Sequence, residues 1–383
     1  MELPSRYTEV VTMDKIKRFI DCYIPTETCN LRCHYCYITQ ERKFRAKLLQ
    51  LTHSPEEISK ALSLERLGGI CLINMCAGGE TLLSHELLPV VQALINEGHY
   101  ISIVTNGTLT ERFVEISSWP KTQLSHLLFK FSYHFLELKR LGWTERFFDN
   151  VQRMKKAGAS VTVEITPSDE LIPYIDEVKE NCLKYSGAVC HVTVARDNVS
   201  KGIEVLSKLP YDEYKKTWGQ FDSALFDFKS RIFYQKRKEF CYAGDWFFIL
   251  NLETGSIFPC YRKSEIGNIY EDISKPLRYQ AVGCNCSLAH CFNGHAMLAL
   301  GVIPEIEAPT YAEERNRICA DGTEWLQPEM KAFMSSKLYE SNKEYNILKK
   351  IECNMREKLR QIAHHPLVRK PLRAIKRAVR FLK

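Results

Sequence analysis

A chain of 383 residues, 45 % of them hydrophobic and 26 % charged, can bury a full core and has the balance of an ordinary soluble protein. It holds no apolar run long enough for a membrane span, and the start, Met1-Glu2-Leu3-Pro4-Ser5-Arg6, lacks a basic-then-apolar export signal. The formal charge of +7 sits in the last twenty residues, which carry seven Lys or Arg and no acid; the neutral body offers no general basic surface for nucleic acid. Fifteen cysteines in a chain read as cytoplasmic point away from disulfides and toward metal or redox chemistry.

In chain order, Arg18–Ile24 reads as a strand that delivers the loop Thr28-Cys29-Asn30-Leu31-Arg32-Cys33-His34-Tyr35-Cys36. Three thiolates at this spacing can hold three corners of a cubane iron–sulfur cluster and leave its fourth iron open. A structural zinc site would want four closed ligands, usually two C-x2-C pairs. A helix over 55–67 follows, then a buried strand over 70–75 that ends at Gly78-Gly79-Glu80. Next come a helix over 85–97 and a strand over 100–104 closed by Thr105-Asn106-Gly107. Strands over 127–132, 160–166 and 190–194 continue the alternation, with helical patterns between them. Repeated βα units predict a parallel sheet, and in parallel barrels the chemistry sits where strands end. The cysteine loop, Gly78, Gly79, Glu80, Asn106, Ser132 and His134 all fall at such ends.

The triplet of Cys29, Cys33 and Cys36, with the aromatic Tyr35 before the third Cys, resembles the signature of radical S-adenosylmethionine (SAM) enzymes. The segment Ala77-Gly78-Gly79-Glu80-Thr81 resembles the SAM-binding segment of that family. The resemblance implies an α/β fold, a partial (β/α)6 TIM-type barrel over 1–225. It implies that Cys29, Cys33 and Cys36 bind a 4Fe–4S cluster whose open iron chelates SAM. An electron from the reduced cluster then releases a 5′-deoxyadenosyl radical, which takes hydrogen from a substrate C–H bond. Gly78 and Gly79 expose backbone groups that would hold the methionine ammonium, Glu80 tethers that segment, and Ser132 and His134 sit where the family contacts SAM. Asn106 reads as a turn residue lining the site. Glu164, on the fifth strand, points into the barrel if the alternation holds, as a substrate ligand or a satisfied core carboxylate.

Residues 211–239 read as a helical, aromatic connector. A second cysteine region then runs through Cys241, Cys260, Cys284, Cys286 and Cys291. It resembles the auxiliary-cluster extension of SPASM and twitch relatives, here over 226–310, and implies one auxiliary 4Fe–4S cluster. Its ligands would be Cys241, Cys260 and two of Cys284, Cys286 and Cys291, with zinc as the alternative metal. Cys22, Cys71, Cys76, Cys182, Cys190 and Cys353 lack ligand spacing and read as small buried hydrophobes. The stretch 311–325 reads as a lid over the barrel mouth or as a solvated loop, and 328–360 as helices packed on the barrel.

In the tail over 364–383, Leu372, Ile375, Val379 and Leu382 alternate with Arg373, Lys376, Arg377, Arg380 and Lys383. A short basic amphipathic helix of this kind suits an anionic membrane surface, here the inner face. The expectation is a cytoplasmic oxidoreductase, reduced by a donor such as flavodoxin or ferredoxin, that oxidises or epimerises a carbohydrate or cyclitol. Peptide modification is the second expectation, though only 28 residues precede Cys29, too few for a fused peptide-recognition domain. A zinc-bound interaction protein is a distant third.

Overall fold

The computed structural model describes residues 14–46, 48–261 and 264–364. Among these residues one sheet of nine strands forms the centre, in the order β6-β5-β4-β3-β2-β1-β7-β8-β9. The first six strands are β1 (Arg18–Ile24), β2 (Cys71–Ala77), β3 (Tyr100–Thr105), β4 (Leu127–Ser132), β5 (Ser160–Ile165) and β6 (His191–Val192). Each pairs in parallel with its neighbour in chain order. Helices lie between consecutive strands, as the alternating periodicity requires. All six strands expected from the sequence are present, and the sixth shrinks to two residues.

The sheet curves. Asp21, Asn74, Val104, Lys130, Glu164 and Phe247, from six different strands, all line one cavity. Side chains two apart on a strand share a face, so this shared lining makes the face concave. The chain is therefore an open, partial (β/α) barrel with an added C-terminal region. That region was not expected to extend the sheet, but β7 (Phe247–Asn251) pairs in parallel with the free edge of β1, setting Phe19 against Phe247. The antiparallel β8 (Ser256–Phe258) and β9 (Gly267–Asn268) follow. Both edges of β1 are thus paired, which buries the strand that carries the cysteine loop.

Local chemistry accounts for the departures. The expected helix over 55–67 is two helices, Pro55–Ala61 and Leu64–Leu67. Ser54 and Glu57 form a capping box at the first start. Ser63 then caps a second start by accepting from the Arg66 amide, which ends the first helix early. The stretch 311–325 divides: Tyr311, Arg315 and Trp325 are each 0 % exposed, while residues 320–323 form the exposed turn between them. Its helix Tyr311–Arg315 opens on a capping box of Thr310 and Glu313 and drives Arg315 into the barrel. Helix Pro328–Ser335 packs as expected, with Phe333 stacked on Tyr100 at 3.9 Å. Helix Ile347–His364 packs one face, with Cys353 and Glu357 buried, while Ile347, Leu348, Ile351, Met355, Leu359 and Ile362 face solvent.

Cys22, Cys71, Cys182, Cys190 and Cys353 are buried as expected. Cys76 is not simply core, because it also lines the barrel cavity. The basic tail over 365–383 lies outside the described residues. No helix among the described residues is long and apolar enough to cross a membrane.

Candidate active site

The cysteine loop leaves the C-terminal end of β1, and the Gly78-Gly79-Glu80 segment leaves the end of β2 beside it. Their backbones stay paired past the strands: Gly79 N donates to Thr26 O at 2.5 Å and Glu80 N to Thr28 O at 2.9 Å. This approach demands glycine. A Cβ on Gly79 would stand 1.9 Å from the Thr28 carbonyl oxygen, inside any allowed contact. The Gly78 carbonyl accepts from the Tyr37 hydroxyl at 2.8 Å, which fixes the peptide plane next to the loop.

Glu80 ties the same segment to β3. Its carboxylate accepts from Thr105 Oγ1 at 2.7 Å, Asn106 N at 2.7 Å and Leu82 N at 3.0 Å. Burial raises its carboxyl above the usual range, while those three donors favour the charged form and oppose the rise. Asn106 in turn donates to Asn30 Oδ1 at 2.7 Å and reaches Cys29 Sγ at 3.8 Å. Its side-chain Oδ1 accepts from Thr108 N, closing the turn read from the sequence.

Cys29, Cys33, Cys36, Gly78, Gly79, Glu80, Asn106, Ser132 and His134 line one pocket. Nine residues singled out from sequence spacing therefore converge at one place. Tyr35 stands just outside it, and its hydroxyl lies 2.7 Å from His134 Nδ1. Burial holds the His134 imidazole down at about 4, so it is neutral and accepts from Tyr35. Burial pushes the Cys29 thiol up to about 11 and raises Cys33 and Cys36 as well. An iron centre must therefore displace protons from all three thiols. No three His, Cys, Asp or Glu side chains among the described residues close round a point that would hold a single ion. A cubane needs no such convergence, since each thiolate takes a separate corner. The donor set and the close-packed glycine cradle fit a three-cysteine cluster with SAM beside it.

The pocket adjoins the barrel cavity, of about 290 Å³, with Cys36, Gly78, Gly79, Val104 and His134 lining both. Its floor is polar. Asn74 donates to Asp21 at 2.7 Å and accepts from Ser102 at 2.8 Å, and Tyr261 donates to the other Asp21 oxygen. Glu164 faces inward as the alternation required, paired to Arg315 at 2.5 Å. Burial alone would raise its carboxyl, but Arg315, with Lys130 and Lys229 behind, outweighs that and holds it at about 2. Arg315 also donates to His295 Nε2 at 2.8 Å. Sequence reasoning missed Lys130, Arg196, Lys229, His295 and Arg315 as cavity residues. The one available signal was that Lys130 shares a face of β4 with Ser132.

A second cavity holds Cys241, Cys260, Cys286 and Cys291 together. Cys284 does not line it. Between Cys284 and Cys286, Asn285 takes a left-handed conformation (φ 55°) that reverses the chain. Cys284 N instead donates to Asn354 Oδ1 at 2.8 Å. Tyr261, Asn293 and Met297 line this cavity and the barrel cavity alike, so one layer of side chains separates the two.

Residues 23–169 match the family model described as the radical SAM superfamily. The chain carries a radical SAM domain over these residues. Over 91 residues, 24 % of this chain, it is 35 % identical to "Probable GTP 3',8-cyclase" of Methanococcus vannielii, covering 29 % of that protein. Over 97 residues, again 24 % of this chain, it is 30 % identical to 7-carboxy-7-deazaguanine synthase of Aquifex aeolicus, covering 41 % of it. The matched stretches thus span less than half of these relatives. Among solved structures, Streptococcus suis SuiB bound to S-adenosylmethionine aligns over 68 % of this chain and 65 % of its own, at 13 % identity and a TM-score of 0.45. The anSMEcpe protein with bound AdoMet aligns over 66 % of this chain and 78 % of its own, at 18 % identity and a TM-score of 0.46. The radical SAM domain runs from inside β1 to the loop after β5 and contains every residue of the cluster pocket.

Proposed function

We propose that this radical SAM enzyme cleaves SAM reductively at a cluster held by Cys29, Cys33 and Cys36 and takes hydrogen from a small polar substrate in the barrel cavity. The observation that carries this is the shared wall of Cys36, Gly78, Gly79, Val104 and His134 between the two spaces. The bound group supplies the radical. The chain's own residues hold SAM at Gly78, Gly79, Ser132 and His134, brace that segment through Glu80, and keep water from the reacting C–H bond. A cavity of about 290 Å³, lined by many hydrogen-bonding groups, suits a hydroxylated small molecule such as a carbohydrate or cyclitol, oxidised or epimerised. On this proposal 1–225 carries the SAM chemistry, 226–310 the auxiliary centre and 311–363 the wall that seals the barrel. The test is 5′-deoxyadenosine formation by anaerobically reconstituted protein with dithionite. Zinc in place of iron, with none formed, would sink it.

Cys241, Cys260, Cys286 and Cys291 would hold the auxiliary 4Fe–4S cluster, one layer of side chains from the substrate. That nearness suits a relay that takes an electron from the substrate and passes it to a small donor–acceptor protein such as flavodoxin or ferredoxin. Iron content is expected to be about eight per chain, two clusters of four. It is expected to fall to about four in the quadruple alanine variant of Cys241, Cys260, Cys286 and Cys291, and to stay at about eight in Cys284→Ala. Iron lost from Cys284→Ala would reverse the assignment.

The exposed apolar stripe of helix Ile347–His364 leads directly to the basic tail, and this charge and apolarity together support contact with an anionic membrane surface. Cosedimentation with phosphatidylglycerol vesicles is expected for the full chain and at least about fivefold weaker without residues 365–383, given about 1 kcal/mol per basic residue near the surface. Equal binding by the two forms would remove the tail from the account.

A further inference from the structure

The barrel cavity carries more cationic heads than its carboxylates can match. Lys130 comes from β4, Arg196 from the loop after β6, Lys229 from helix Ala224–Ile232 and Arg315 from helix Tyr311–Arg315. The two carboxylates in the lining are already engaged. Glu164 holds Arg315 at 2.5 Å, and Asp21 accepts from Asn74 and Tyr261. Behind the wall, Glu314 is fully buried with both oxygens lacking a hydrogen-bond partner among the described residues, and burial pushes its carboxyl up to about 8. It is neutral near pH 7 and balances none of the positive charge. His295 is neutral as well, since burial and the surrounding cations hold it far below its usual value.

Arg196 and Lys229 stand out. Lys229 is 4 % exposed, and its ammonium donates at 2.6 Å to the Thr193 hydroxyl, a neutral partner. Burial, and then the nearby Arg196, bring Lys229 down to about 7. Among the described residues no carboxylate lies within ion-pair distance of the Arg196 guanidinium. Its near neighbour is the Phe292 ring, 5.8 Å to the centroid. Two cations facing one another in a low-dielectric space repel unless an anion enters. The backbone beneath Arg196 is also held firmly. Gln40 donates to the Arg196 carbonyl at 3.0 Å and to the Tyr35 carbonyl at 2.7 Å, and accepts from Asn198 N at 3.0 Å. Gln40 thereby staples the Arg196 loop to the cysteine loop, so a group seated on Arg196 has a set distance from the cluster pocket.

We propose that the barrel cavity is built for a substrate bearing an oxyanion, a phosphate or a carboxylate, seated between Arg196 and Lys229. The planar guanidinium fork suits either group, and the ammonium adds a point charge beside it. This rests on the proposal above that the cavity holds the substrate, and it adds the charge that the substrate must carry.

The experiment is isothermal titration of the reconstituted, SAM-loaded full chain with inorganic phosphate and, in a parallel arm, acetate, at constant ionic strength set by chloride. Saturable binding in the millimolar range is expected in at least one arm. Phosphate alone assigns a phosphoryl group, and acetate alone a carboxylate. Arg196→Gln is expected to weaken it at least about tenfold and Lys229→Met at least about fivefold, as loss of one charged contact of about 1–1.4 kcal/mol implies. Should Lys229→Met fail to fold, Arg196→Gln decides, since Arg196 is only half-buried. No saturable binding in either arm, or equal affinity in Arg196→Gln, overturns the proposal. Loss of SAM binding in Arg196→Gln with oxyanion binding kept also overturns it, because the guanidinium would then serve the SAM carboxylate. If the wild-type chain forms no 5′-deoxyadenosine with dithionite, it is the enzyme proposal that fails, while the oxyanion titration still reads on its own.

Discussion

Anaerobically reconstituted Cys33→Ala is expected to form no 5′-deoxyadenosine above background, a fall of at least about a thousandfold, or more than about 4 kcal/mol of barrier. Cys33 is one of three thiols on a loop whose backbone is clamped by the Gly78-Gly79-Glu80 segment. No spare thiol lines the pocket to replace it, since Cys29 and Cys36 are the other cysteines there among the described residues. Two thiolates leave two irons of a cubane without protein ligands, and the cluster is lost rather than weakened. Iron content separates this from misfolding: the variant is expected to keep about four irons at the auxiliary centre, with an unchanged far-ultraviolet circular dichroism spectrum. Retained 5′-deoxyadenosine formation in Cys33→Ala would remove this loop from the chemistry.

Arg315→Met is expected to destabilise the chain by about 3–5 kcal/mol, the cost of leaving a buried charge uncompensated. Arg315 is 0 % exposed and holds Glu164 and His295 with separate nitrogens. Without it the Glu164 carboxylate remains in the barrel with its strongest counter-charge gone, and its carboxyl rises from about 2. Unfolding entropy of about 2.1 cal/mol/K per residue, over 383 residues, converts that loss into a thermal midpoint lower by roughly 5 °C. The pH dependence has a definite sign. Glu164 is depressed in the folded state, so the stability it lends is complete above the unfolded carboxyl value of about 4.3. It drains away as pH falls toward about 2. Arg315→Met is expected to lose that acid-limb sensitivity, and Glu164→Gln combined with Arg315→Met to recover part of the midpoint. A double variant no more stable than the single would show that the arginine acts through packing against Tyr311, 5.0 Å from its ring, and not through its charge.

The cluster loop, the glycine cradle and the six parallel strands could be read directly from the chain because each depends on local order. Cys29, Cys33 and Cys36 share one short loop, Gly78 and Gly79 are adjacent, and strand period and turn residues are properties of a few neighbours. The same locality placed Ser132, His134 and Asn106 at strand ends beside Cys29, Cys33 and Cys36. It did not extend to β7, a five-residue apolar run whose role comes from pairing with β1, more than two hundred residues away.

What lines the barrel cavity was decided by tertiary structure alone. Arg315 reaches Glu164 across 151 residues of chain, Lys229 meets Arg196 through the curvature of the sheet, and no spacing rule links them. The stretch around Arg315 looks solvated in sequence because it is dense in charge, yet the helix opened by the Thr310–Glu313 capping box carries Arg315 inward to Glu164. Cys284 and Cys286 are equal candidates by spacing, and the left-handed turn at Asn285 separates them. Spacing along a chain encodes a motif whose parts are neighbours. A charge-lined cavity is assembled from side chains whose separation is set only when the sheet closes, so the radical SAM motifs were written in the sequence and the charge of the cavity in the fold.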